Sequence, residues 1–105
     1  MPIPETLREP IASARSMISQ ANAINLRIQI GNANAMLANA RAFVVEDAAT
    51  GAAFGQAMQR IEALLDARSL DEERRSALQA IDSLENGLAL ARPNAHAKAL
   101  GLDWF

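Results

Sequence analysis

The chain has 105 residues, a formal net charge of −2, one histidine and no cysteine. The lack of cysteine excludes a disulfide framework, thiol catalysis and the common zinc fingers and ribbons. The slightly acidic total argues against a protein that coats nucleic acid through its charge. A hydrophobic fraction of 50% argues against disorder. A chain of this length can bury one core of modest size.

The composition indicates helices. Alanine accounts for 23 residues and leucine for 12, and both are strong helix formers. Valine, threonine and the aromatic residues, which strands favour, total only eight. We therefore predict an all-α fold, a small helical bundle that forms a single domain over residues 1–105 and ends in a short tail at residues 93–105.

The first predicted helix is unusually long. A start signal lies at residues 6–10, where a threonine and a glutamate have capping-box spacing and a proline follows. No strong stop signal follows before residue 46, so the pattern predicts one helix over about residues 10–45. Gly31 is its one weak point. The alternation at residues 26–30 is also typical of a strand, but the alanine-rich flanks favour helix.

The second half of the sequence predicts a helical hairpin with helices at about residues 51–68 and 70–92. Asp47 or Thr50 is the expected N-cap of the first of these helices. Ser69, with a glutamate three residues later, forms a capping box for the second helix. Apolar residues recur on one face of each helix, as expected when each packs one side against a core.

The long helix carries two opposite apolar strips. Because the hairpin covers one strip more easily than two, we predict that the other strip pairs with a second copy of the chain, which gives a homodimer. Small residues on this strip suit close approach of two helices. The alternative is a monomer whose hairpin helices straddle the long helix. The predicted self-association residues are Ile24, Ile28, Gly31, Ala35, Ala38 and Ala42.

Three asparagines repeat every seven residues at Asn25, Asn32 and Asn39. They predict either a ladder of buried amides that fixes the register between helices or a solvated polar stripe. The solvated stripe is favoured, because each unpaired buried amide costs about 1–3 kcal/mol.

The tail concentrates apolar residues at Leu102, Trp104 and Phe105. We expect the tail to fold back and pack against the bundle. The alternative is that these three residues anchor a partner protein, since tryptophan is enriched at binding hot spots. Asn94 can cap a last helical turn that Gly101 closes.

The sequence offers little for catalysis. His96 stands in the tail without the Glu-x-x-His pattern of a helical metal site, and no glycine-rich phosphate loop is present. We expect no enzymatic activity, no cofactor and no bound metal. The adjacent Arg74 and Arg75 resemble part of a recognition helix, but three acidic residues precede them.

These observations favour a non-enzymatic protein–protein interaction module, such as a small adaptor, chaperone or inhibitor, that self-associates and binds another protein. The alternative is a small dimeric DNA-binding transcriptional regulator that uses Arg74 and Arg75. No basic start with an apolar run behind it is visible, and no apolar stretch approaches the roughly 20 residues of a membrane span. We expect a cytoplasmic protein that interacts with neither membranes nor nucleic acid.

Overall fold

A computed structural model describes residues 3–104, and this part of the chain contains five α-helices and no strand. The predicted all-α fold is confirmed. None of the described helices is both long and apolar enough to cross a lipid bilayer. The helices are α1 (Glu5–Ser19), α2 (Leu26–Arg41), α3 (Ala48–Glu62), α4 (Leu70–Leu88) and α5 (Ala95–Ala99), and a 3₁₀ helix (Ala63–Asp66) extends α3.

The first four helices form a bundle made of two helical hairpins. Helix α1 packs most extensively against α2, and α3 packs most extensively against α4. Contacts of α1 with α4 and of α2 with α3 join the two hairpins around one core. The largest fully buried side chains are Leu7, Ile11, Ile18, Leu37, Phe54, Ile61, Leu64, Ile81, Leu84, Leu88 and Trp104.

The prediction of one continuous helix over residues 10–45 is wrong, because the chain turns back at residues 20–25. Two asparagine side chains build this turn. The Asn22 side-chain oxygen accepts from the backbone N–H groups of Ile24 and Asn25, at 2.9 and 3.0 Å. In return the Asn25 side chain accepts from the Asn22 N–H at 2.7 Å. These local bonds replace helical ones.

The weak point expected at Gly31 lies inside α2 and does not break it. Helix α1 begins at Glu5 with Pro4 as N-cap, and no side chain caps it. The predicted box at Thr6 is therefore not formed. Pro10 is an interior residue of α1. Thr6 is exposed, so water can bond the carbonyl that a proline four residues later leaves without a donor.

The predicted hairpin is confirmed, with small shifts at its ends. Asp47 caps α3 by accepting from the Thr50 N–H at 2.8 Å, and Ser69 caps α4 by accepting from the Glu72 N–H at 3.4 Å. Helix α4 ends at Leu88, earlier than the predicted residue 92.

The tail is tied to the bundle by its backbone and by Asn94. The Val45 N–H donates to the Arg92 carbonyl at 2.8 Å, and the Asn94 N–H donates to the Phe43 carbonyl at 3.0 Å. The Asn94 side chain caps α5 as predicted. Gly101 then ends α5 with a φ of 76°, a backbone conformation that favours glycine.

Candidate interaction surface

The predicted self-association strip lies on the surface of the folded chain. Ile28 is 68% exposed, and the small residues that follow it on the same side of α2 are exposed as well. The opposite side of α2 is buried against the core. The alternative in which the hairpin covers both sides is therefore wrong. We call the exposed strip the α2 outer face; it consists of Ile24, Ile28, Gly31, Ala35, Ala38 and Ala42.

Ile24 belongs to this face but not to the helix. It lies in the turn at residues 20–25 and is 97% exposed. The bond from its backbone N–H to the Asn22 side chain fixes the turn around it. An exposed isoleucine forgoes about 1.5–3 kcal/mol that full burial would contribute. The turn therefore holds an unburied apolar side chain in a defined place.

The outer face continues into a groove at one end of the bundle. The groove has a volume of about 460 Å³, and Leu65 of the 3₁₀ helix forms one wall. Five large apolar side chains are exposed among residues 3–104. Three of them, Ile24, Ile28 and Leu65, line this groove.

Sequence reasoning missed the contribution of Leu65, because its spacing matches the buried face of the preceding helix. The structure changes from α-helix to 3₁₀ helix at Ala63. A 3₁₀ helix turns by more degrees per residue than an α-helix. This change of period leaves Leu64 buried and Leu65 46% exposed.

Two arginines lie along one flank of the outer face. Arg27 and Arg41 are two heptads apart on α2, so they share one side of the helix. Arg41 forms an ion pair with Glu46 and lies 5.7 Å from the centre of the Phe54 ring. Arg27 is exposed and has no ion-pair partner within the described part of the chain.

The other flank carries two of the three repeating asparagines. Asn32 and Asn39 are exposed on α2, while Asn25 is used in the turn before the helix. A ladder of buried amides is therefore not formed within the chain. Asn32 and Asn39 instead form a solvated polar stripe, as favoured from the sequence. A different asparagine, Asn34, has a buried side-chain oxygen without a hydrogen-bond partner.

The predicted residues of the tail are only partly accessible. Trp104 is 1% exposed, and its indole N–H donates to the Leu88 carbonyl at 3.0 Å. Leu102 is half-buried, and Phe105 lies outside the described residues. Trp104 thus packs into the bundle, as favoured, and is not available to anchor a partner on the folded chain.

Arg74 and Arg75, the basic pair of the DNA-binding alternative, have different surroundings in the folded chain. The Arg74 guanidinium donates to the Ile18 carbonyl at 3.2 Å and to the Ala21 carbonyl, and it pairs with Asp71 at 2.8 Å. Only Arg75 is exposed. The structure therefore uses Arg74 to join α4 to the end of α1.

Groups suited to catalysis are scattered. The His96 ring stacks on Phe43, with ring centres 5.3 Å apart. A depression of 160 Å³ lies between the start of α3 and the end of α4, and Asp47 is its one acidic wall residue. The Thr50 backbone N–H lowers the pKa of Asp47 below its ordinary value of 3.8. Residues 3–104 contain no group of three or more side chains that could hold a metal ion.

Comparison with known proteins adds no relative. No family model matches the chain, and neither the curated proteins nor the solved structures give a significant match. The outer face and its surroundings are therefore the features that indicate function.

Proposed function

We propose that the protein is a non-enzymatic protein–protein interaction module that self-associates through the α2 outer face. The observation that carries the proposal is the gathering of Ile24, Ile28 and Leu65 at one end of that face. Monomeric proteins seldom expose large apolar side chains together, and such patches mark interaction sites.

The rest of the outer face suits a helix as its partner. From Gly31 to Ala42 the face consists of small side chains, which let two helix backbones approach closely. No charged residue lies on the face itself, so pairing does not bury a charge. A second copy brings the same surface, which is the simplest way to cover it in a symmetric pair.

The dimer then acts by binding another protein, as a small adaptor, chaperone or inhibitor. We assign no catalytic step: the one histidine of the chain, His96, stacks on Phe43, and residues 3–104 contain no group of three or more side chains that could hold a metal ion. The partner protein itself is to be identified by affinity capture, with the dimer as bait.

Sedimentation analysis over a range of protein concentrations tests self-association. We expect a monomer–dimer equilibrium that reaches the dimer by high micromolar concentration. The double variant Ala35→Glu with Ala38→Glu should be a folded monomer, because both positions are exposed and the change leaves the core untouched. Unchanged far-UV circular dichroism checks the fold. A wild type that stays monomeric over the whole range contradicts the proposal.

A matched control separates the face from a general effect of added charge. Ala12 and Ala52 are exposed on α1 and α3, and the double variant Ala12→Glu with Ala52→Glu adds the same charge away from the outer face. We expect this variant to dimerise like the wild type. Equal loss of the dimer in both double variants means that net charge, and not the outer face, controls association.

A gel-shift assay tests the DNA-binding alternative. The first turn of α4 carries Asp71, Glu72 and Glu73, and these charges oppose contact with phosphates. We therefore expect no shift of mixed-sequence DNA at physiological salt. A shift that weakens steeply as salt is raised favours the regulator over the proposal.

A further inference from the structure

We infer that two copies pair their α2 helices antiparallel, with Ala35 near the two-fold axis and Arg27 of each copy beside Glu46 of the partner subunit. The inference rests on the proposed self-association and specifies its orientation and register. In this arrangement Ile28 lies opposite Ala42 of the partner subunit. Size, charge and hydrogen-bonding capacity along the helix each support it.

Side-chain size is distributed unevenly along the outer face. Bulky residues, Ile24 and Ile28, lie at the start of the outer face, and small ones, Ala38 and Ala42, lie at its end. A parallel pair sets bulky against bulky and small against small, which leaves a gap at one end. An antiparallel pair sets each bulky end against a small end, and this lets the surfaces interlock at the density of a protein interior.

The end groove fits the same arrangement. It opens beside Ile24 and Leu65 at the start of α2. In an antiparallel pair the segment that follows Ala42 in the other copy crosses this groove. Val45 is a half-buried apolar residue of that segment. The groove therefore receives an apolar piece of the second copy.

The charges beside the outer face are complementary in an antiparallel pair. Arg27 lies in the groove wall and has no ion-pair partner within residues 3–104. Glu46 follows the other end of α2, and its ion pair with Arg41 holds it on the Arg27 flank. A two-fold axis perpendicular to α2 keeps this flank on the same side of both copies. Antiparallel pairing thus brings Arg27 to Glu46 of the partner subunit. Parallel pairing swaps the flanks, so it places each Arg27 against the asparagine flank of the other copy and far from any Glu46.

The opposite flank of the outer face carries side chains that can form hydrogen bonds. Asn32 and Asn39 are exposed there, one heptad apart and on either side of Ala35. Antiparallel pairing about Ala35 sets Asn32 across from Asn39 of the partner subunit, twice in each dimer. Each amide offers both donors and an acceptor. Such a pair of polar contacts fixes the register of an apolar helix interface.

Disulfide cross-linking tests the orientation, and the chain suits it because it contains no cysteine of its own. The variants Ile28→Cys and Ala42→Cys are oxidised separately and as an equimolar mixture. We expect the covalent heterodimer to dominate in the mixture, since a disulfide needs its two Cα atoms within about 7 Å. Mass spectrometry distinguishes it from either homodimer, because the two variants differ in mass.

The outcomes separate this inference from the proposal beneath it. Homodimers of each variant alone, with no preference for the heterodimer, indicate parallel pairing and overturn the inference. No cross-link in any sample, while the wild type sediments as a dimer, also overturns it. A wild type that sediments as a monomer contradicts the proposed function instead.

A charge reversal tests the Arg27 contact without cross-linking. Arg27→Glu sets two carboxylates together at each end of an antiparallel dimer, so we expect the dimer dissociation constant to rise by about tenfold at low salt and by less at high salt. Arg60→Glu is the matched control, because Arg60 is an exposed arginine of α3. Equal dissociation constants for the two variants overturn the assigned contact.

Discussion

The two hairpins of the bundle end their helices in different ways. In the second hairpin, each helix is capped at its N-terminus by the residue that immediately precedes it, Asp47 for α3 and Ser69 for α4. In the first hairpin, α1 and α2 are capped at their C-termini by Arg74 and Asn94, which are remote in sequence. A local cap forms with its own helix, whereas a remote cap forms only when the two halves of the chain meet.

The remote caps satisfy backbone groups that a helix end leaves open. Arg74 donates to the carbonyl groups of Ile18 and Ala21, and its positive charge also suits a helix C-terminus. Asn94 donates from its side-chain nitrogen to the Ala42 carbonyl at 2.7 Å, while its oxygen accepts from the Ala97 N–H at 2.9 Å. One amide thus serves the end of α2 and the start of α5.

The difference has a thermodynamic consequence. Loss of a local cap weakens one helix, and loss of a remote cap also weakens the attachment between the halves. Substitutions at the remote positions should therefore cost more free energy of unfolding than substitutions at the local ones. The following variants, taken from the largest expected effect to the smallest, test this order.

Trp104 should show the largest effect, because it holds in place the tail that carries Asn94. Trp104→Ala removes a buried side chain and its bond to the Leu88 carbonyl, so we expect a loss of about 3–5 kcal/mol in urea denaturation. Leu100→Ala is the control in the same tail, since Leu100 is largely exposed. A Trp104 variant as stable as the Leu100 variant means that the tail does not complete the core.

Arg74 should come next. Arg74→Ala leaves the carbonyl groups of Ile18 and Ala21 without their donor, and hydrogen bonds from charged groups contribute about 1.5–3 kcal/mol. We expect a loss of about 2–3 kcal/mol in the same assay. The neighbouring Arg75→Ala is the matched control, because Arg75 is exposed and should change stability by less than about 0.5 kcal/mol. Equal losses would show that the contact to α1 does not stabilise the fold.

Asn94 makes both kinds of cap, because its oxygen caps α5 locally and its nitrogen caps the end of α2 from a distance. Asn94→Asp keeps the oxygen that caps α5 but removes the donations to the carbonyl groups of Ala42 and Val44 and sets a carboxylate beside them. We expect this variant to lose about 1–2 kcal/mol, close to the loss in Asn94→Ala. Full stability of the aspartate variant would mean that the local cap alone matters.

The contrast between local and remote caps also explains how much of the fold can be predicted from the sequence. Local signals at Asp47, Ser69 and Asn94 predict three helix starts, because the capping side chain and the N–H that it bonds lie within three residues of each other. The periodicity of α2 also predicts which of its sides is exposed. These features depend only on neighbouring residues, so a single sequence contains the information.

The features that sequence reasoning missed depend on distant contacts or on a change of helix type. The turn at residues 20–25 lies between strong helix formers, and it is secured by Asn22 and by Arg74 from another helix. Spacing alone does not reveal that Arg74 faces α1. Leu65 extends the interaction surface only because the helix tightens at Ala63.

Ser69 shows how much free energy of unfolding a local cap contributes. Ser69→Ala removes the acceptor for the Glu72 N–H, so we expect a loss of about 1 kcal/mol with both helices retained. Ser83→Ala is the matched control on the same helix, since Ser83 is exposed and alanine is the better helix former. If the Ser69 variant loses more stability than the Arg74 variant, the order of local and remote caps is wrong.

Substitution of Asp47 should change the free energy of unfolding least. Its contribution differs from that of Ser69 in that it depends on pH. Hydrogen bonding to the Thr50 N–H lowers the pKa of Asp47 in the folded chain below its ordinary value of 3.8. The unfolded chain therefore binds a proton first as the pH falls. The stabilisation by ionised Asp47 is fully present well above pH 3.8 and is lost as the pH falls through the lower, folded pKa.

Asp47→Asn isolates this effect, because asparagine is also a good N-cap but does not titrate. The other carboxylates titrate in both proteins, so they cancel in the difference between their free energies of unfolding. We expect the wild type to lose stability relative to the variant on acidification below pH 3.8, while the difference between wild type and Ser69→Ala stays constant. If the difference in free energy of unfolding between the wild type and Asp47→Asn is also independent of pH, the carboxylate does not cap α3 in solution.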